Sequence, residues 1–473
     1  MINFPRIIIA ALKGGAGKTI LTLGLTAAWL KKGIRVMPFK KGPDFIDAGW
    51  LALAADRSCY NLDSFMMSDK QIIKSFLTRS TGADVSLIEG NRGLFDGLDS
   101  DGCCSTAELG KLLKTPVIIV VDVTMATRTI AAIVLGCQKF DTGLNIAAVI
   151  LNRVAGARQE SVIRKSIEQY CGIPVIGVIP KLKGGFFPER HMGLVPCQER
   201  EHAVKAIEWA RSAVEENLDL GEVWRLARNV EPLEMKGQKN KEESLIISNN
   251  DPPRIGFIRD KSFWFYYPEN LEQLKKLGGD LVEINSMEDR DISGIDALYI
   301  GGGFPETQAK VLADNVSFRE ALKQRIEAGL PVYAECGGLM YLGECLIINE
   351  KIYPMAGVLP IKFILEEKPQ GHGYTILEVT GENLYFKTGE ILKGHEFHYS
   401  RALLTDSEDI TTVFRVLRGQ GLDGKRDGLC KKNLLATYTH LHAEGNSLWA
   451  ESFFNAAVHQ KSLKYIKLKS GEC

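Results

Sequence analysis

Short apolar, β-branched runs punctuate the first half of the chain at intervals that leave room for a helix between them. They are "RIIIAAL" (6–12), "RVMPFK" (35–40), "VSLIEG" (85–90), "VIIVVD" (117–122), "IAAVILNRV" (146–154) and "PVIGVIP" (174–180). Amphipathic stretches such as "ILTLGLTAAWLKK" (20–32) and "SVIRKSIEQYC" (161–171) lie between them. Apolar runs without polar alternation, separated by helical patterns, predict βαβ units and a parallel sheet covered on both faces. This organisation extends to about residue 228. Residues 229–253, "NVEPLEMKGQKNKEESLIISNNDPP", lose all periodicity and gain Lys, Glu, Asn and Pro, the composition of an interdomain linker. The strand pattern restarts at "RIGFIRD" and continues through "LVEIN", "ALYIGGGFPE" and "PVYAECGG". The prediction is α/β throughout, in two domains: 1–228, then 254–463, with 464–473 as a tail.

Composition narrows this picture without redirecting it. In 473 residues, 45% hydrophobic and 25% charged, 58 basic side chains balance 58 acidic ones, so no broad field attracts nucleic acid or a membrane surface. Any anionic ligand must be met by local groups. The ten cysteines include no C-x-x-C pair and read as reduced thiols of a cytoplasmic protein. No stretch approaches the roughly 20 apolar residues of a membrane span.

"ALKGGAGKT" (11–19) follows the first strand and opens a helix, the setting of a P-loop. Backbone N–H groups of Gly14, Gly15, Ala16 and Gly17 can surround phosphate oxygens, Lys18 can reach the terminal phosphates of ATP, and Thr19 can bind Mg2+. Leu12 stands where the usual first glycine would be, and Lys13 makes this the K-G-G-x-G-K-T form of the loop, seen in partition ATPases and dethiobiotin synthetase. Carboxylates gather at strand ends, where open α/β sheets bind ligands. "KKGPDFID" offers Lys40, Lys41, Asp44 and Asp47; "IEGNRGLFDG" offers Glu89, Arg92 and Asp96; "VVDVT" offers Asp122. Thr19, Asp44 and Glu89 are the expected magnesium ligands, because that ion takes one or two carboxylates beside phosphate oxygens. Asp47, Arg92 and Asp96 are assigned to the substrate, and Asn152 in "ILNRV" to an adenine edge, with a turn asparagine as its other reading.

In "YAECGGLMYLG" (333–343) one cysteine falls between a strand pattern and a Gly-Gly pair that opens a helix. A side chain at 336 would project from a sharp turn beside a helix N-terminus, a geometry that lowers a thiol pKa and places N–H groups where an oxyanion would form. A buried structural thiol is the other reading of Cys336.

Taken in order, "KGPDFID", "IEGNRGLFDG", "GFFPERHMGL", "FWFYYPENLE", "GGGFPE", "YAECGGLMYLG", "GHEFHYSR" and "ATYTHLH" resemble the cobyrinic acid a,c-diamide synthase family over roughly residues 5–455. The resemblance implies a dethiobiotin-synthetase-like ATP domain fused to a class I glutamine amidotransferase domain. It implies glutamine hydrolysis at Cys336 with His440 as base, an oxyanion site from Gly302, Gly303 and Gly337, and ATP-dependent amidation of peripheral carboxylates of a modified tetrapyrrole. Most class I amidotransferases carry a glutamate two residues after the histidine, and here that position is His442. In "GHEFHYSR", alternation sends His395, Phe397 and Tyr399 to one face and Glu396, His398 and Ser400 to the other. The resemblance gives this stretch a structural or interdomain role, and no metal is assigned to it. Arg190, beside His191 in "GFFPERHMGL", is offered to substrate carboxylates.

The first substrate reading is the a and c acetates of cobyrinic acid. Phe45, Trp50, Asn91 and Arg92 depart from the family's usual residues where the macrocycle is expected, and they resemble relatives that amidate sirohaem, so sirohaem or sirohydrochlorin is the alternative. A reading of another class is a P-loop ATPase switch carrying a degenerate amidotransferase module. Switches with this loop dimerise around nucleotide, so a homodimer is an arrangement the resemblance allows.

Overall fold

The computed structural model describes residues 4–182, 189–190, 193–194, 200–233, 251–405 and 409–470. They form two compact units that divide near residue 240. The last helix of the first unit ends at Arg228 and the first strand of the second begins at Arg254, while 234–250 lie outside the described residues.

The first unit is a seven-stranded, wholly parallel sheet. Its strands are β1 (Arg6–Ala11), β2 (Val36–Lys41), β3 (Tyr60–Leu62), β4 (Val85–Glu89), β5 (Val117–Asp122), β6 (Ile146–Val154) and β7 (Val175–Pro180), in the order β3-β2-β4-β1-β5-β6-β7. β1, β2 and β4 are buried at every residue, which is why their sequences show no polar alternation. Their neighbours in the chain are helices, including α1 (Lys18–Lys31) after β1 and α2 (Ile46–Ala55) after β2. The crossover therefore brings the loop after β1 beside the C-terminal ends of β4 and β2, where ligands of such sheets bind.

In the second unit a ten-stranded sheet is parallel over its first five strands, 280–284, 254–258, 297–300, 332–335 and 434–437. It continues antiparallel through 426–431, 411–418, 371–379, 391–398 and 440–441. Thr437 ends the fifth strand and His440 begins the tenth. Three residues reach only about 10 Å, so the sheet must curl until its far edge lies beside its middle. That curl sets "GHEFHYSR" and His440 next to the turn at Cys336. The final helix runs from Ser447 to Ser470, so 464–470 extend a helix where the sequence pattern suggested a tail. Within this extension the Lys464 ammonium bonds the carboxylate of Asp296 at 2.8 Å. Among the described residues no helix is long and apolar enough to cross a membrane.

Candidate active site

In the first unit the chain leaves β1 at Ala11 and enters α1 at Lys18 through a loop with Gly15 and Gly17 in the left-handed region, at φ 68° and 95°. At Gly17 a β-carbon would stand 2.4 Å from Asn152 Nδ2, so a side chain there is excluded on two counts. Asn152 donates to Ala16 O at 2.8 Å and Arg153 to Gly15 O at 3.1 Å, bracing the loop from the end of β6. Arg153 also pairs with Asp122 at 2.7 Å, and Lys13 reaches the same carboxylate at 3.5 Å. Burial works to raise the Asp122 carboxyl, but hydrogen bonds from Thr124 and Arg153 outweigh it and hold it at about 2.

Lys18 points its ammonium at two carbonyls, Arg92 O at 2.7 Å and Lys13 O at 3.4 Å. Burial pulls its pKa down, with Glu89 acting against it. Lys40 and Glu89 are register partners across β2 and β4, and Lys40 Nζ lies 2.9 Å from Glu89 Oε1 and 2.6 Å from Asp47 Oδ2. Thr19 donates to the same Glu89 oxygen at 2.7 Å and lies 3.4 Å from Asp47 Oδ2. Burial works to lower the Lys40 ammonium, and Asp47, Glu89 and Asp44 outweigh it, keeping it charged. Asp44 is pushed up to about 7 by burial and by Asp47, whose N–H it caps at 3.1 Å. Glu89 is wholly buried, and its second oxygen has no hydrogen-bond partner among the described residues.

In the second unit Cys336 follows the buried strand Val332–Glu335 and precedes the short helix Gly337–Leu342. Its backbone sits at φ 48°, ψ −101°, outside the favoured regions for a residue with a β-carbon. Its Sγ faces Phe397 O at 3.6 Å. A β-carbon on Gly303 would fall 1.9 Å from Ser262 O, and one on Gly302 would fall 2.3 Å from Cε1 of His440. One on Gly337 would meet Gly303 O at 2.9 Å. Gly302 is thus held against the His440 ring and Gly337, the residue after Cys336, against Gly303. The expectation of a lowered thiol pKa is overturned. Burial pushes the Cys336 thiol well up, and Glu306, Glu335 and Glu396 push the same way. A thiol in this setting needs a base to remove its proton in the reaction; it is not a standing thiolate.

His440 stacks on Phe265 and on His395, with ring centroids 4.1 and 5.0 Å apart. Burial, with His398, drives its pKa down to about 3, so the ring is neutral at physiological pH. Its Nδ1 lies 3.3 Å from Glu335 Oε2. Asn270 fixes the strand beyond it, bonding Leu441 O at 2.9 Å and Ala443 N at 2.8 Å.

Residues 7–194 match the family described as the CobQ/CobB/MinD/ParA nucleotide binding domain, and 254–448 match the CobB/CobQ-like glutamine amidotransferase domain. Proteins called cobyrinate a,c-diamide synthase are similar to this chain over nearly its full length. The one from Magnetococcus marinus is 42% identical, covering 95% of this chain and 96% of its own. The one from Archaeoglobus fulgidus is 40% identical, covering 97% and 99%. The chain belongs to the cobyrinate a,c-diamide synthase family. It is accordingly a glutamine-hydrolysing ligase with a nucleotide-binding domain. Among solved structures, one titled PurLQS from Thermotoga maritima covers 46% of this chain and 100% of its own at 16% identity, with a TM-score of 0.35.

Against this family background several predicted residues shift place. Asp47, assigned to substrate, lies with Thr19, Glu89 and Asp44 around Lys40. Asp96 caps its own loop through Gly93 N at 2.8 Å. Arg92 is exposed on that loop, with its backbone at φ 51°. Trp50, expected near the macrocycle, is a core residue packed with Leu23, Ala206 and Ala210. The Asn91 backbone is tied to Thr106 Oγ1 at 3.2 Å. The Arg190 side chain and all of His191 lie outside the described residues. Sequence reasoning gave no role to Lys40, Arg153 or Glu335, and it gave "GHEFHYSR" a structural or interdomain role.

In the structure His395 lies on His440 and hydrogen-bonds Tyr267 at 3.1 Å. On the opposite face Glu396 accepts from the N–H groups of Gln420 and Gly421. The available signal was the density of ionisable residues in a strand-like stretch.

Proposed function

We propose that the protein uses glutamine and ATP to amidate the a and c acetate carboxylates of cobyrinic acid. The observation that carries this reading is the strained turn at Cys336 together with a neutral, buried His440 packed on Gly302, with no room for a side chain at Gly302, Gly303 or Gly337. His440 Nε2 takes the thiol proton as sulfur attacks the side-chain amide of glutamine. Backbone N–H groups at Gly303 and Gly337 receive the oxyanion, and His440 returns the proton to departing ammonia. Water then hydrolyses the thioester, with His440 again as base, to give glutamate.

In the first unit a carboxylate oxygen of the substrate attacks the γ-phosphorus of ATP, giving an acyl phosphate and ADP. Ammonia attacks that acyl carbon and phosphate leaves. A free carboxylate is too poor an electrophile for the direct route. Lys18 and the N–H groups of 14–17 hold the phosphates in line, and Lys40 keeps Asp47 and Glu89 neutralised until substrate arrives.

Magnesium fits this cluster. Thr19, Asp44 and Glu89, with Asp47 among them, present only hard oxygen donors, and the second Glu89 oxygen is buried without a hydrogen-bond partner among the described residues. Among the described residues no three or more His, Cys, Asp or Glu form a cage for a metal, and an ion taken up with nucleotide needs none. Bound there, it would neutralise charge on the phosphate oxygens. Glu89→Gln is expected to raise the magnesium concentration required for half-maximal activity or to abolish turnover. An unchanged magnesium titration would remove Glu89 from the ligand set.

Mass spectrometry with glutamine, ATP and magnesium tests the substrate. Cobyrinic acid is expected to exchange two hydroxyl groups for amino groups in succession. With Trp50 in the core and the Asn91 backbone tied to Thr106, less remains to favour a sirohaem pocket. Amides appearing on sirohaem or sirohydrochlorin, with cobyrinic acid unchanged, would reverse the choice.

A further inference from the structure

A glutamine amidotransferase histidine must present an unprotonated Nε2 to the thiol. A neutral imidazole does so only when its single proton sits on Nδ1, so something must hold that proton there. Where most class I amidotransferases carry a glutamate for this purpose, this chain has His442. The His442 ring does not turn back to His440: its Nε2 lies 3.5 Å from Glu269 Oε2, with both side chains wholly buried. The orienting carboxylate is therefore either missing or supplied from elsewhere.

We infer that Glu335, the residue immediately before the nucleophile, is the positioning residue that holds His440 in its base-competent tautomer. Its Oε2 lies 3.3 Å from His440 Nδ1, and its Oε1 accepts the N–H of Leu441, the residue after the histidine, at 3.1 Å. The carboxylate thus grips both the ring and the backbone that carries it. Tyr299 donates to Oε2 at 3.0 Å, and Asn270 bonds both Tyr299 OH at 3.2 Å and Leu441 O at 2.9 Å, so the grip is itself held. Consecutive residues of a regular strand point to opposite faces. The left-handed backbone at Cys336 breaks that alternation, so neighbouring side chains can serve one histidine. This inference rests on the glutaminase reading above.

Its consequence is a pH dependence with a definite sign. An ionised Glu335 accepts from Nδ1–H and leaves Nε2 free. A protonated Glu335 donates to Nδ1, drives the ring proton to Nε2 and switches the base off. Burial pushes Glu335 up to about 8, against hydrogen bonds from Leu441 N–H and Tyr299. The glutaminase kcat should therefore climb with pH as Glu335 ionises.

Several other groups facing this pair are themselves shifted. From the strand 391–398, His395 is driven well below its ordinary value by burial, and Glu396 is held below its own by His398 and two backbone N–H groups despite burial. Tyr299 and Tyr333 are pushed well above theirs by burial. Asp427, which accepts from Thr437 and Tyr438, is raised by burial only to about 6.

The test is the pH profile of glutamine hydrolysis by the full chain, for wild type, Glu335→Gln and Tyr299→Phe. Glu335→Gln should lower kcat by about 10²–10⁴-fold, the scale of a wrong-tautomer lesion. Its KM for glutamine should stay near wild type, and its rising limb should vanish. Tyr299→Phe removes a donor that favours the carboxylate, so its limb should move to higher pH while the plateau is kept. A wild-type limb in Glu335→Gln overturns the inference. If that variant does not fold, an unmoved limb in Tyr299→Phe overturns it. Should wild type hydrolyse no glutamine at any pH, the glutaminase reading falls with it; hydrolysis with unmoved limbs sinks the role of Glu335 alone.

Discussion

Cys336→Ser is expected to abolish amidation driven by glutamine while leaving amidation driven by high ammonium close to the wild-type rate. The loss should be about 10⁴-fold or more, because in the proposed mechanism the sulfur forms the covalent bond that divides amide hydrolysis into two accessible steps. Serine cannot replace it here. Burial and the surrounding carboxylates already disfavour an anion at this position with a thiol, and a hydroxyl is far harder to deprotonate. His440, neutral with a pKa near 3, is a weak base for so poor an acid. Ammonium-driven synthesis bypasses these demands, since free ammonia is consumed at the P-loop unit, whose groups Cys336→Ser does not touch. The substitution is nearly isosteric, and the turn is fixed by Gly302, Gly303 and Gly337, so the fold should survive. Loss of both activities in a folded variant would reject separate sites for making and using ammonia.

Much of this division was legible in the chain because its signals are local. "RIIIAAL" and "VIIVVD" could be strands buried on both faces and little else, and the P-loop announces itself by glycines followed by Lys18 and Thr19. What stayed hidden depends on curvature and register. Glu335 and His440 are 105 residues apart, and only the curl between Thr437 and His440 brings them together. A glutamate at a strand end looks like an ordinary boundary residue until its partner is seen. Lys40 was visible as a basic residue before "GPDFID", but its place against Glu89 follows from the pairing of β2 with β4. Trp50 misled for the converse reason: an aromatic in a motif suggests a ligand, and here it fills the space under a neighbouring helix. The thiol expectation failed because a helix N-terminus is visible in sequence whereas the depth of burial is not. Desolvation of a wholly buried group outweighs the few N–H dipoles of a helix spanning only Gly337–Leu342.

The two lysines of the P-loop unit make opposite use of their charge, and that contrast sets the expectation for Lys18→Ala. Lys40 is clasped by carboxylates at 2.6 and 2.9 Å and is already neutralised. Lys18 rests on two carbonyls, with Glu89, Asp47 and Asp96 acting only at a distance. Its charge is therefore available to the phosphates that will displace those carbonyls. Removing it should cut amidation by about 10³-fold or more, the effect of one cation on a transferring phosphoryl group. Unlike Cys336→Ser, the loss should be the same with glutamine or with ammonium, because both nitrogen sources need the acyl phosphate. Glutamine hydrolysis measured without ATP should stay near wild type, which separates loss of phosphoryl transfer from loss of fold. Measuring amide formation from ammonium by mass spectrometry decides the matter: synthesis at the wild-type rate in Lys18→Ala would take Lys18 out of the ATP site.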